Sequence, residues 1–282
     1  MDQGLLDELA STVGWQRLLI DPDRLVAYGY DATMGYRGDP HAVLFAETEA
    51  HVVAAVQAAA AFGVPCIARG GATSLAASAV PPSRSLVVDT NRMRKIRSFD
   101  VDRRSAWVDP GVVTATFRSY AARHGLLYAP DPSSEAAATI GGNVATNAGG
   151  PYGFKYGVTR DAVIGLRVVT PQHGAVVLER GRDDIAIDLL IGSEGTLGIV
   201  TGVRLQLRPL PVSHAVRAAA FSDGPSALNA VVKIIEEGIN PAKLEFLDDV
   251  TIESLERSRS WGFPREAGGL LLAELDGEES EV

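Results

Sequence analysis

The sequence predicts an α/β protein followed by a second, smaller unit, and three observations carry this reading. A strand, a helix and another strand follow one another over residues 43–45, 49–62 and 64–68. Glycine-rich stretches stand at 69–75, 131–150 and 192–200, the first of them directly after a strand. Two prolines in three residues, Pro209 and Pro211, then interrupt both ladder and helix before a new alternation of strands and helix begins.

Each element has a local reason. Residues 43–45 are apolar, and Thr48 offers an N-cap hydroxyl to the alanine- and valine-rich run that Gly63 ends. Residues 64–68 resume as a strand leading into the first glycine loop, the position where ligands of α/β sheets are commonly held. Residues 85–88 and 105–108 read as strands with a solvated basic turn, 91–95, between them. The spacing of Val113, Phe117, Tyr120 and Ala121 predicts a helix over 113–124, with Gly125 as its terminator. Residues 162–169 and 175–178 flank a turn as a β-hairpin, and 199–207 alternates as a strand. Beyond the prolines, 214–221, 244–246 and 270–274 read as strands and 225–237 as a helix. One clear long helix is a thin core for an independent domain, so this second unit reads as incomplete.

At 282 residues and 46% hydrophobic content, the chain can bury a substantial core. A formal charge of -9 argues against nucleic acid as a partner, because phosphate backbones are held by clustered Lys and Arg. Small molecules and proteins remain. Cys66 is the only cysteine, which excludes an internal disulfide and a thiolate-rich metal or iron–sulfur centre built by this chain alone. Residues 1–10 lack the apolar stretch of a signal peptide, and no run approaches the roughly 20 apolar residues of a transmembrane segment. A cytoplasmic location is expected. The histidines at 41, 51, 124, 173 and 214 have no metal-ligand spacing, so no metal site is expected, and no catalytic base stands out. There is no Gly-x-Ser-x-Gly elbow of a serine hydrolase either.

Arg69-Gly-Gly-Ala-Thr-Ser-Leu75 lacks the Gly-Lys-Ser/Thr ending of a P-loop, and Rossmann spacing is absent. Its glycines could set backbone N–H groups against phosphate oxygens, with Thr73 and Ser74 adding hydroxyls, or could simply form a tight turn. The stretch with Gly141, Gly142, Asn143, Asn147, Gly149 and Gly150 is harder to explain as a turn, since each glycine costs about 1 kcal/mol of chain entropy. Uncovered amides there would suit a pyrophosphate. Asn143 either orders this loop or contacts a cofactor, and Asn147 reads as a turn residue. Glu194 either accepts from ribose hydroxyls or caps a turn. Lys155 and Tyr156 either flank a bound ring or are a solvated lysine and a packed tyrosine.

Taken together, Arg69-Gly-Gly-Ala-Thr-Ser-Leu75, Asp131-Pro-Ser-Ser134, Thr139-Ile-Gly-Gly-Asn143, Asn147-Ala-Gly-Gly150, Lys155-Tyr-Gly157 and Gly192-Ser-Glu-Gly-Thr-Leu-Gly-Ile-Val-Thr201 resemble the FAD-binding half of the p-cresol methylhydroxylase and vanillyl-alcohol oxidase superfamily. The nearest resemblance is to the glycolate oxidase flavoprotein subunit and D-lactate dehydrogenase group. It implies an α/β (α+β) FAD-binding domain over 38–211, with subdomains near 40–100 and 101–210. An N-terminal helical segment, 1–37, would precede it, and the start of a truncated α+β cap domain, 212–282, would follow. It also implies that Arg69, Gly70, Gly71, Ala72, Thr73, Ser74 and Leu75 bind the FAD pyrophosphate through backbone and hydroxyls, together with Thr139, Gly141, Gly142 and Asn143. Pro130, Asp131, Ser134 and Ala145 would lie along the flavin. Glu194, Gly195 and Ile199 would face the ribose and adenine, Ile199 through its backbone. The implied activity is hydride transfer to FAD from a small-molecule 2-hydroxy acid of the glycolate or D-lactate type.

Three departures qualify that expectation. Members that tether flavin covalently place a histidine where this chain has Ala72, so dissociable FAD is expected. Residues 76–78 are Ala-Ala-Ser where relatives carry glycine, and alanine adopts positive φ only at a cost. The cap's histidine-rich metal ligands and substrate-binding arginines do not occur before Val282. The chain is therefore expected to be a fragment or one piece of a split enzyme, with an electron-acceptor or cap-supplying subunit as partner. A location at the periphery of a membrane, through such a partner, is the alternative expectation. The alternative is an FAD-binding module without autonomous catalysis.

Overall fold

The computed structural model describes residues 3–279, which form two compact units. The first comprises the residues up to Gly149 together with Val158–Pro209, and the second Gly150–Gly157 together with the residues from Leu210 on. The sequence reading kept 150–157 with the FAD-binding domain; in the structure this short segment groups with the C-terminal unit.

The first unit is an α/β body with two main sheets. The first sheet has the spatial order Leu18–Leu19, Pro40–Phe45, Ser85–Asp89, Cys66–Arg69, and its last three strands are parallel. Every residue of the central Ser85–Asp89 is buried, as a strand covered on both faces requires. The helix Glu49–Ala61 makes the crossover, capped by Thr48, whose Oγ1 accepts from the His51 amide at 3.3 Å. It buries Val52, Ala55, Val56, Ala58 and Ala59 in one core with Ala42, Leu44, Leu86 and Val88 of the sheet. Leu5, Leu6, Leu9 and Val13 of the helix Gln3–Val13 fill the same core, so the N-terminal helix is an integral part of this unit and not a separate segment.

The second sheet is antiparallel throughout, in the order Ile96–Asp100, Ser105–Val108, Ile199–Gln206, Val163–Thr170, Gly174–Glu179. Ile96–Asp100 is a strand that the sequence reading passed over, and it moves the division between the sheets from about 100 to 90–95. Its residues are half-buried or exposed, so it shows no continuous apolar run. The helices Thr114–Ala122 and Ile140–Thr146 pack on this sheet around Phe117, Tyr128, Val144, Leu166 and Val203. Glu49 links the two sheets: its carboxylate accepts from Arg167 at 2.5 and 2.9 Å and from the Thr201 hydroxyl at 2.6 Å. The Arg167 guanidinium holds the Glu49 carboxyl below the usual carboxylate range.

In the second unit, Ser213–Phe221, Gly269–Gly277 and Lys243–Asp248 form an antiparallel sheet in that order. Asp223 and Asp248 cap the helices Gly224–Glu236 and Asp249–Ser258, each accepting a backbone amide at 2.7 Å. The second helix was not foreseen. The fully buried apolar cluster is small, Ile252, Ala267 and Leu270, while Leu228, Val232 and Ile235 of the first helix are exposed. Among the described residues, no helix is long and apolar enough to cross a membrane.

Candidate cofactor site

The three glycine-rich stretches meet within the first unit. A Cβ on Gly70 would fall 2.5 Å from Thr139 Oγ1, and one on Gly71 would collide with the Ala137 carbonyl oxygen. Gly192 and Glu194 donate their amides to the carbonyls of Val144 and Ala145, at 3.0 and 2.8 Å, docking the third stretch on the end of the helix Ile140–Thr146. Gly195 lies against Ala68, the residue that leads into the first loop: a Cβ there would be 3.4 Å from that of Ala68. Glycine is needed at 70 and 71 because backbone or a short side chain from the facing segment occupies the place of a side chain.

The first loop has an asymmetric hydrogen-bond pattern. Its carbonyls are used: Thr90 donates its amide to Arg69 O at 2.9 Å, Asn91 Nδ2 to Gly70 O at 2.8 Å, the Ala32 amide to Ala72 O at 3.1 Å and the Thr33 hydroxyl to Ser74 O at 3.3 Å. Its amides are not: among the described residues, none accepts from the N–H groups of Gly70, Gly71, Ala72, Thr73, Ser74 or Leu75. Ala72 stands in this run at φ 53°, and a left-handed residue among successive free amides is the backbone pattern of an anion-binding nest. Ala77 is also left-handed, at φ 57°, so the alanine-bearing turn does take the costly conformation. The Arg69 side chain is buried and committed to backbone carbonyls, the nearest that of Tyr30 at 2.9 Å, which leaves its guanidinium no part in holding an anion.

The second glycine pair is used in the opposite way, and here the structure corrects the expectation of uncovered amides. Residues 140–146 are a helix, not a loop, and Thr139 is its N-cap. Ile140 donates its amide to Val112 O at 2.9 Å, Gly141 to Pro110 O at 2.8 Å, Gly142 to Thr139 Oγ1 at 3.2 Å and Asn143 to Thr139 O at 2.8 Å. All the orphan donors of the first turn are satisfied inside the protein. The Asn143 side chain is buried and donates to Thr114 Oγ1 at 3.0 Å, so of its two readings the structure supports ordering. Gly141 is there for packing, since a Cβ would stand 2.6 Å from Cβ of Pro110.

The remaining positions divide by burial. Pro130 and Ile199 are buried, Ile199 in the core of the first sheet, whereas Asp131 and Ser134 of the segment before the helix and Ala145 within it are half-buried. Glu194 is half-buried at φ 53°, its backbone docked as described. Asn147 is the left-handed C-cap of the helix Ile140–Thr146 and accepts the Arg160 amide at 2.9 Å, a turn residue as read. In the second unit, Lys155 donates to Asp276 at 2.5 Å and Tyr156 to the same carboxylate at 2.7 Å, so Lys155 is paired and not a solvated lysine. Sequence reading missed Asp31, Thr33 and Asn91, which hold the first loop from behind. One local signal existed: Asp31 accepts the amide of Thr33 at 2.9 Å, the two-residue pattern of an Asx-turn.

Comparison with known proteins identifies the domains that carry these stretches. Residues 40–178 match the FAD binding domain, and residues 210–282 match the C-terminal domain of FAD linked oxidases. The chain is 39% identical over 260 residues to glycolate oxidase subunit GlcD of Bacillus subtilis (strain 168), covering 90% of this chain and 55% of that protein. It is 36% identical over 269 residues to the Escherichia coli (strain K12) protein of the same name, covering 94% and 54%, and 31% identical over 270 residues to D-lactate dehydrogenase of Anaerostipes hadrus, covering 92% and 55%. The chain thus spans about half the length of these relatives. A solved alkyldihydroxyacetonephosphate synthase superposes on the whole chain with TM-score 0.88, over 57% of its own length and at 20% identity, and so shares the fold. With both domains represented in order, the chain belongs to the FAD-linked oxidase family, and its cofactor is FAD.

Proposed function

We propose that this chain is the flavin-holding part of an oxidoreductase that converts a 2-hydroxy acid of the glycolate or D-lactate type to the 2-oxo acid. The observation that carries the proposal is the run of unengaged amides from Gly70 to Leu75, walled by the segment 137–139. That run fits a diphosphate: six consecutive donors with no acceptor among the described residues, and the hydroxyls of Thr73 and Ser74 beside them. FAD supplies the two-electron acceptor when bound. In this reading Gly70 to Leu75 bind its pyrophosphate, and Thr139, Gly141, Gly142 and Asn143 shape the opposite wall without offering amides. Asp131, Ser134 and Ala145 border the flavin, and Glu194 and Gly195 border the ribose and adenine. The cofactor is held non-covalently, because the methyl group of Ala72 offers no nucleophile for a flavin bond. A cytoplasmic location is part of this reading; among the described residues no helix is long and apolar enough to cross a membrane.

A second reading is a flavin-binding module that relies on a partner subunit for the remaining cap and the catalytic base. The chain itself spans 54–55% of the length of these relatives. Purified protein tests both. Flavin absorbance, with all flavin released on acid precipitation, is expected under either. Bleaching by glycolate or D-lactate without added protein supports the first, and bleaching only after adding a partner supports the second. A colourless protein that takes up no FAD would refute both.

A further inference from the structure

The free amides of the first loop have a cause behind the loop, in residues that touch no ligand in the reading above. Arg69 Nη1 donates to the carbonyl of Tyr30 at 2.9 Å and to those of Tyr28 and Ala79 at 3.4 Å each, which fixes the chain just before Asp31. Asp31, itself buried, then divides its carboxylate: Oδ1 accepts the Thr33 amide at 2.9 Å and Oδ2 the Ala79 amide at 3.2 Å. Thr33 does the same with one atom. Its Oγ1 accepts the Ala77 amide at 2.8 Å and donates to the Ser74 carbonyl at 3.3 Å. Between them the Ala32 amide donates to Ala72 O at 3.1 Å.

A trans peptide carries its C=O and the next N–H on opposite sides. Anchoring Ala72 O and Ser74 O to residues 32 and 33 therefore turns the amides of Thr73 and Leu75 away from them. Asn91 and Thr90 do the same for the amides of Gly71 and Gly70 through the carbonyls of Gly70 and Arg69. The left-handed Ala72 and Ala77, each costing roughly 1–2 kcal/mol, lie inside this braced span and need such restraint to persist.

We infer that Asp31 and Thr33 are positioning residues for the diphosphate: a brace that grips the back of the loop and sets its amides outward before any ligand arrives. The inference rests on the proposed function and goes one layer beyond it, to residues that reach the cofactor only through the loop.

The test compares FAD and ADP binding to apoprotein for wild type, Thr33→Val, Thr33→Ser and Asp31→Asn, together with ligand-free Tm. Valine keeps the shape of threonine and loses both hydrogen bonds, so FAD and ADP affinity are expected to fall roughly tenfold or more, about one net hydrogen bond at 1.4 kcal/mol per tenfold. Serine keeps the hydroxyl and is expected to stay within about twofold of wild type. Ligand-free Tm is expected to change little in either, which separates loop orientation from general loosening. Should Thr33→Val not fold, Asp31→Asn decides, since it retains one acceptor oxygen and weakens only the Ala79 contact. Wild-type FAD and ADP affinity in both Thr33→Val and Asp31→Asn, or an equal loss in Thr33→Ser and Thr33→Val, would overturn the brace. A wild-type protein that binds neither FAD nor ADP would overturn the proposed function itself.

Discussion

The glycines at 70 and 71 and those at 141 and 142 belong to segments that face one another, and they dispose their peptide groups in opposite ways. In the first pair the carbonyl of Gly70 is taken by Asn91 and both amides are free. In the second pair both amides are taken, by Pro110 O and Thr139 Oγ1. Both pairs were read from sequence as exposed amides for a pyrophosphate. The difference teaches that a glycine pair records a close approach, and that the nearest acceptors decide whether its donors remain available for a ligand.

The largest expected effect comes from breaking the apposition itself. Gly71→Ala drives a methyl into the Ala137 carbonyl, backbone against backbone, and overpacking of this kind costs about 1–3 kcal/mol. A drop in Tm of several degrees is expected, with loss of FAD uptake. Gly142→Ala is the matching control: its methyl would meet only Thr139 Oγ1, at 3.3 Å, and alanine favours the helix by up to about 1 kcal/mol. Unchanged or raised Tm with FAD binding retained is the expected result. Equal damage from the two substitutions would erase the distinction between the pairs.

Thr139→Ala sharpens the comparison from the second side. It removes the helix cap and frees the Gly142 amide, at a cost of about 1 kcal/mol by chemical denaturation. FAD affinity should change less than in Thr33→Val, because the freed donor lies on the wall that binds no phosphate in this account.

Acid titration probes the link between the sheets, outside either loop. The Glu49 carboxyl is depressed in the folded protein, chiefly by its hydrogen bond from Arg167. It therefore contributes stability that is present above the ordinary glutamate pKa of 4.5 and is lost as pH falls through the lower folded value. Glu49→Gln should be less stable than wild type at neutral pH, and the gap should narrow as pH falls below 4.5. A gap independent of pH would contradict the ion pair as its source.

The smallest expected effect is at Ala77. Glycine there relieves a left-handed alanine but adds unfolded-chain entropy, leaving a net gain of about 0.5–1 kcal/mol. A Tm increase of a few degrees would agree, and a decrease would mean that the Ala77 methyl packs.

The legible parts of the molecule are those whose cause is local. The helix Glu49–Ala61 showed through its Thr48 cap, its alanine-rich run and Gly63, and the hairpin through apolar alternation around a turn that closes on Gly174 at φ +61°. The convergence of three glycine stretches was also readable from their order. The helix Ile140–Thr146 was not, because Gly-Gly-Asn is a poor helix former and its first turn is held by carbonyls of Pro110 and Val112 about 30 residues earlier. The brace escaped for the same reason: Asp31 and Thr33 act on residues more than 40 positions away. Strand Ile96–Asp100 was hidden beside a basic turn that drew the reading toward loop.

Amide hydrogen exchange resolved by residue, with and without FAD, distinguishes the two glycine pairs. The amides of Gly70 to Leu75 are expected to exchange rapidly in the FAD-free protein and to become protected when FAD binds, while those of Gly141, Gly142 and Asn143 are protected in both states. Protection gained at 141–143 with 70–75 still exchanging rapidly would contradict that distinction.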